Sequence, residues 1–225
     1  MTESPGPYQF SQTADLVLCL DATGSMTPLW EMVVARAASF PFDIIEYLTA
    51  KNRLVEPVRV RVVIFRDTHV DVDPIVATDF FVLPDDASAF TGFLGGIVVG
   101  GSADEPESGL EALAVAIHSE WRASVPRCRQ VIVLMTDASA HPFGRGLGNL
   151  SIALRDQIPD SFEELSESWS NLSVHKRLIV LAPGVEPWRT LVERWECALL
   201  LPSVAGTGIE AYEYEELLWI LFESI

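Results

Sequence analysis

Where one apolar run stops, three oxygen-bearing side chains occupy alternate positions: Asp21, Thr23 and Ser25, in LVLCLDATGSM. A second run, VVIF, stops on Arg66 and Asp67, and a third, QVIVLM, stops on Thr136 and Asp137. Between the last two lies VGGSADEPESGLEAL, a glycine-rich turn opening a helical pattern, with Ser102, Asp104, Glu105 and Glu107. These are carboxylates and hydroxyls, with no sulfur and little imidazole. Oxygen-only sets suit hard cations, Mg2+ first, with Mn2+ or Ca2+ as neighbours. Aspartates gathered at one point repel one another, and a divalent ion removes that cost. Taken alone, the first motif reads equally well as a turn capping the helix that follows.

Such side chains need elements that bring them together. Short apolar runs predict strands at Asp15–Leu20, Val58–Arg66, Asp79–Leu83, Gln130–Thr136, Arg177–Ala182 and Cys197–Leu201. Most are apolar on both faces, as in central strands covered by helices on each side. Arg59 and Arg61 alternate with valines, which predicts one wet face at the start of the second strand. Amphipathic patterns predict helices at Met26–Ala50, Asp86–Gly95, Pro106–Ser119, Leu147–Gln157, Ser161–Trp169, Pro187–Arg194 and Tyr212–Ser224. Glu105 and Glu107 suit the electropositive start of the third of these. The alternation implies an α/β fold: a doubly wound, mostly parallel six-stranded sheet with helices on both faces and one short antiparallel edge strand. In such sheets ligands bind beyond the carboxyl ends of the strands, which is where the oxygen-bearing residues fall. The expected organisation is a flexible tail over 1–12 and one domain over 13–225.

Composition narrows the function. The chain has 225 residues, 49% of them hydrophobic, and a formal net charge of -17. It is long and apolar enough for a full core, and too acidic for phosphate neutralisation, which excludes nucleic acid as partner. No apolar run reaches membrane-spanning length, and MTESPGPYQF lacks the basic and apolar regions of a signal peptide. Cys19, Cys128 and Cys197 are scattered, and Cys19 and Cys197 fall in apolar runs as buried thiols do. A cytoplasmic location is the expectation.

At this point the motifs resemble the von Willebrand factor type A domain. Asp21-Ala22-Thr23-Gly24-Ser25 matches the D-x-[ST]-x-S of that family's metal-ion-dependent adhesion site. GGSADEPESGLEAL is similar to a G-G-x-x-D-x-P-E loop of one branch, VVIFRD to the end of its second strand, and VLMTDASAH to the segment carrying the last metal aspartate. The resemblance covers residue 13 to the end and implies a Rossmann-like fold with a metal held by Asp21, Thr23, Ser25, Asp137 and a residue of the middle loop. Aligned on Gly109-Leu110, that residue is Asp104, with Ser102 as second choice. Asp67, Thr136 and His141 would stand beside the ligands or on the rim. Ala138 departs from the glycine common after the last aspartate.

The resemblance implies a Mg2+-dependent protein-interaction module, with a partner's Asp or Glu completing the ion's shell. Stand-alone bacterial domains of this kind resemble adaptors working beside MoxR-type AAA+ ATPases or effectors of conflict systems. Two other classes fit less well. A Mg2+-dependent phosphoryl-transfer hydrolase would place an acid at Thr23 and a lysine at a strand end. An extracellular adhesion domain would carry paired cysteines and a signal peptide.

Overall fold

The structure is a computed structural model that describes residues 11–50, 54–55, 57–101, 105–122, 128–144 and 146–203. Strand β1 (Ser11–Asp21) opens it. Residues 11 and 12, expected in the tail, already pair with β2 (Leu54–Val55). Between these two strands runs helix α1 (Trp30–Ala50). Then follow β3 (Val58–Phe65), the short β4 (Ile75–Ala77) and β5 (Phe81–Leu83), and helices α2 (Ala87–Gly95) and α3 (Gly109–Ile117). The remainder comprises β6 (Cys128–Met135), α4 (Ile152–Arg155), α5 (Phe162–Asn171), β7 (Lys176–Pro183), α6 (Trp188–Arg194) and β8 (Ala198–Ser203).

The sheet path is β4-β3-β1-β6-β7-β8, with β2 beside β1 and β5 beside β3. All pairings are parallel except those of β4 and β5 on β3. The fold is therefore the expected six-strand α/β path, with two short antiparallel pieces on one edge. From β1 the chain crosses to β3 on one side, then back past β1 to β6 on the other. The strand order reverses at β1, so the crevice above it is the place for a ligand.

Residue alternation explains why the central strands read as unbroken apolar runs. Leu16, Leu18 and Leu20 of β1 face a core with Val33, Ala37 and Ile44 of α1 and Phe90 and Leu94 of α2. Val17 and Cys19 face the other core, with Leu110 and Leu113 of α3, Trp169 of α5 and Trp188 of α6. Both faces are covered, so neither carries a polar stripe. Arg59 of β3 is not simply a wet-face residue, because it reaches back to the buried Asp15.

Several boundaries differ from expectation. A 3-10 turn at Gly24–Met26 delays α1 to Trp30, with Thr27 Oγ1 donating to Gly24 O. Helix α3 starts at Gly109, because Glu107 forms a parallel bridge with Ala140 instead of helix. The expected helix over 147–157 is a 3-10 turn, Leu147–Asn149, followed by the single turn of α4. Cys197, expected buried, is exposed at φ 62. The expected helix Tyr212–Ser224 lies outside the described residues.

Candidate metal centre

The register fixes the site. Asp21 is the last residue of β1 and stands opposite Phe65 of β3, and Leu20 stands opposite Met135 of β6. Two residues beyond Met135 the chain reaches Asp137. Two neighbouring parallel strands therefore deliver Asp21 and Asp137 to the same carboxyl end, without any requirement on the intervening sequence.

There the predicted residues join in one chain of hydrogen bonds. Thr136 Oγ1 donates to Asp21 Oδ2 at 2.6 Å. Asp21 Oδ1 accepts from Thr23 Oγ1 at 2.6 Å and from Thr23 N at 2.9 Å. Thr23 Oγ1 lies 3.2 Å from Ser25 Oγ, which donates to Asp137 Oδ1 at 2.9 Å. The turn from Asp21 to Thr23 is thus an Asx turn, but its carboxylate also accepts from Thr136, and Thr23 carries the chain on to the Ser25–Asp137 pair. Asp104 and Ser102 lie outside the described residues.

The loop after Asp137 is held from behind. Thr136 Oγ1 accepts from Ala138 N at 3.1 Å, and Ala138 O accepts from Trp188 Nε1 of α6 at 2.9 Å. Glu107 N donates to Ser139 O, and His141 N donates to Glu107 O. Asp67 and His141 do not join the Asp21–Asp137 chain. They face each other, with His141 Nε2 3.2 Å from Asp67 Oδ1.

Charge is unbalanced at this end of the sheet. Burial, partly offset by the Thr136 and Thr23 hydrogen bonds and reinforced by Asp137, pushes the Asp21 carboxyl up to about 6. Burial also raises Asp137, against the Ser25 hydrogen bond. Glu107 is 1% exposed, and burial together with Asp21, Asp67, Asp71 and Asp137 pushes it up to about 9. Its Oε2 has no hydrogen-bond partner. Asp15 forms ion pairs with Arg59 and Arg122, and Asp67 stands against the His141 ring. Among the described residues none of Asp21, Asp137 and Glu107 has a basic side chain as ion-pair partner.

Glu107, expected at the start of a helix, is instead buried ahead of it, and Trp188, of a residue type expected in the core, is buried there. Burial of Glu107 follows from its bridge to Ala140, a long-range pairing with no local signature. The donor set fits a hard divalent ion on two grounds: it is all oxygen, and a buried carboxylate oxygen beside it is orphaned.

No protein-family model matches the chain, and no curated protein matches it. Solved structures do. It is similar to a von Willebrand factor type A protein from Catenulispora acidiphila at 13% identity and TM-score 0.57, over 95% of this chain and 43% of that one. It is also similar to the pilus adhesin SpaC from Lactobacillus rhamnosus GG in its open conformation, at 13% identity and TM-score 0.58, over 94% of this chain and 30% of that one. The chain spans less than half the length of either. At such identity the likeness speaks for architecture, and together with the strand order above it establishes that this chain has the von Willebrand factor type A fold.

Proposed function

We propose that the chain is a protein-recognition module that depends on a divalent metal, Mg2+ first, held by Asp21, Thr23, Ser25 and Asp137, with Asp104 completing the set from the loop before α3. The observation that carries this reading is the chain of oxygens from Thr136 to Asp137 across two central strand ends, set among buried carboxylates with no basic partner among the described residues. A bound cation would neutralise these carboxylates and offer a coordination position to an acidic side chain of another protein.

The chain's own groups prepare that role. Thr136 fixes one oxygen of Asp21 and Thr23 the other, so the carboxylate is ordered before any ligand arrives. Ser25 ties Asp137 to the same frame, and Trp188 holds the loop carrying Asp137 against α6. The geometry favours binding over catalysis. Two residues after Asp21, where a phosphoryl-transfer aspartate would have a second acid, stands Thr23, whose hydroxyl and amide both donate to Asp21 Oδ1. No helix among the described residues is long and apolar enough to cross a membrane. We take the module to be a cytoplasmic adaptor in a bacterial multi-protein system, with a MoxR-type ATPase or a conflict effector as the class of partner.

Calorimetric titration of metal-stripped protein with Mg2+, Mn2+ and Ca2+ tests the site, and capture of a partner with Mg2+ or with chelator tests the function. Wild type should bind one ion, and Ser25→Ala and Asp137→Ala should lose it while remaining folded. Unchanged binding by Asp137→Ala would remove the site. Partner capture that ignores chelator would remove the metal bridge even if the site stands.

A further inference from the structure

We propose that Asp67, His69 and His141 form a second metal site, distinct in chemistry from the oxygen-only centre, for one imidazole-seeking divalent transition-metal ion such as Zn2+. Each of the three residues offers a ligand atom, and these atoms all lie within 4.8 Å of one another. Two imidazoles and one carboxylate are a donor set for Zn2+ and Fe2+, not for Mg2+. Three protein ligands also leave the ion a position open to water or to a further ligand.

The spacing is already close to what an ion needs. Donors around a tetrahedral Zn2+ at about 2.0–2.1 Å stand roughly 3.3 Å apart. The His141 Nε2 and Asp67 Oδ1 atoms are 3.2 Å apart. Yet His141 Nε2 is buried and has no properly directed hydrogen-bond partner. A ring nitrogen held beside a carboxylate oxygen without a hydrogen bond between them is an arrangement that a cation satisfies. The His69 and His141 rings stack with centroids 4.2 Å apart and planes 28° apart, which sets the two imidazoles side by side next to Asp67.

The surroundings hold these three side chains in place. Asp67 Oδ1 accepts from His69 N at 2.8 Å, and Asp67 N donates to Asp71 Oδ2 at 3.1 Å. Thr68 N donates to Ser108 Oγ, and Asn149 Nδ2 donates to Thr68 O. His141 is fixed through its amide to Glu107 O. Gly146 closes over His69 at φ +73. A Cβ there would stand 2.8 Å from His69 Cδ2 and 2.7 Å from Thr68 Oγ1, so this close approach to the ring requires glycine. His69 is exposed, which gives an ion a path from solvent.

The test uses the 225-residue protein stripped of metal and kept in excess Mg2+, so that the oxygen-only centre is satisfied or silent. Zn2+ is titrated by calorimetry and Co2+ is followed by its visible absorption. Wild type, Asp137→Ala and the distant control His175→Ala should each take up one Zn2+. His69→Ala should weaken it by about 100-fold or more, because loss of even an outer partner of a metal-bound histidine costs about 10–100-fold. His141→Ala should do the same, with His141→Gln as the variant to use if the alanine protein does not fold. No uptake by wild type would overturn the proposal, as would unchanged affinity in His69→Ala. Loss of Zn2+ in Asp137→Ala with retention in His69→Ala would move the ion to the other centre, and would overturn this site while leaving that one standing.

Discussion

Thr136→Val isolates the contact that orders Asp21. Valine keeps the shape of threonine, so no cavity opens at a position only 4% exposed. What disappears is a hydroxyl that donates to Asp21 Oδ2 at 2.6 Å and accepts from Ala138 N at 3.1 Å. A hydrogen bond to a charged group contributes about 1.5–3 kcal/mol, and an orphaned buried amide costs about 1–3 kcal/mol. The two losses share one atom and do not simply add, so about 3 kcal/mol is the working value. For a chain of this length each kcal/mol moves Tm by about 2–4 °C, giving a fall of about 6–12 °C. Thr136→Ser keeps the hydroxyl and loses one methyl, worth about 1 kcal/mol. Calorimetric melts of the three proteins in chelator measure this without assuming any metal. The hydroxyl also lowers the Asp21 pKa from where burial alone would place it, so in the valine variant Asp21 stays protonated to higher pH than about 6. A proton then competes with the cation, and Mg2+ affinity should drop more at pH 6.5 than at pH 8. If Thr136→Val melted within 1 °C of Thr136→Ser, the hydroxyl would not be holding Asp21, and the account of the centre's preorganisation would fail.

Other perturbations read other parts of the same frame. Glu111 is fully buried, accepts from Gly144 N at 3.0 Å, and is pushed up to about 7 from 4.5 by burial. The unfolded carboxyl ionises first, so the folded state loses stability as pH rises between those values. Glu111→Gln escapes that loss and should gain about 3 kcal/mol over wild type at pH 8 and almost nothing at pH 4.5, measured by denaturant melts; an equal difference at both pH values would contradict this. In Gly109→Ala the new Cβ would meet Trp188 Cη2 at 2.8 Å. The indole is buried and hydrogen-bonded to Ala138 O, so it cannot yield. Overpacking of about 1–3 kcal/mol should outweigh the helix-propensity gain of about 1 kcal/mol, with a lower Tm and a shifted tryptophan emission; a rise in Tm would show the contact to be soft. Asp15 is buried and pulled upward by that burial, but hydrogen bonds and charge from Arg59 and Arg122 outweigh it and hold its carboxyl below the usual range. Its stabilisation is complete above the unfolded pKa of about 3.9 and is lost as pH falls through the lower folded value. Asp15→Asn should therefore cost about 3 kcal/mol at pH 7 and progressively less in acid, a trend that denaturant melts at pH 7 and pH 3 would confirm or refute.

Strand ends were legible because burial on both faces leaves a plain signal. Each apolar run ends where the chain leaves the sheet, and Asp21, Asp67 and Asp137 follow at once. Parallel register then forces Asp21 and Asp137 together. Pairings between distant loops were not legible. Glu107 sits in an acidic turn that looks solvated, and only its bridge to Ala140 buries it. His69 and His141 are 72 positions apart, on loops leaving β3 and β6, the two strands that flank β1. Their stacking depends on how those loops bend over Asp21's neighbourhood, which Gly146, Ser108 and Asn149 decide. The strand β4 is three residues long, too short for alternation to declare it.

The sharpest contrast lies within one strand. Asp15 and Asp21 both belong to β1, and both are 0% exposed. In the sequence each is an aspartate at the margin of the same apolar run, and only Asp21 is followed by hydroxyls at alternate positions. At the opening end, Asp15 accepts from Arg59 Nε and Nη2 and from Arg122 Nε and N, so the protein supplies its own cations. At the carboxyl end, Asp21 receives only the hydroxyls of Thr136 and Thr23 and one amide, while Asp137 and Glu107 add like charge. Hydroxyls can orient a carboxylate but cannot neutralise it. That β1 is compensated at one end and left electrically open at the other is the physical ground for looking to an external cation at Asp21, and for treating Asp15 as structure.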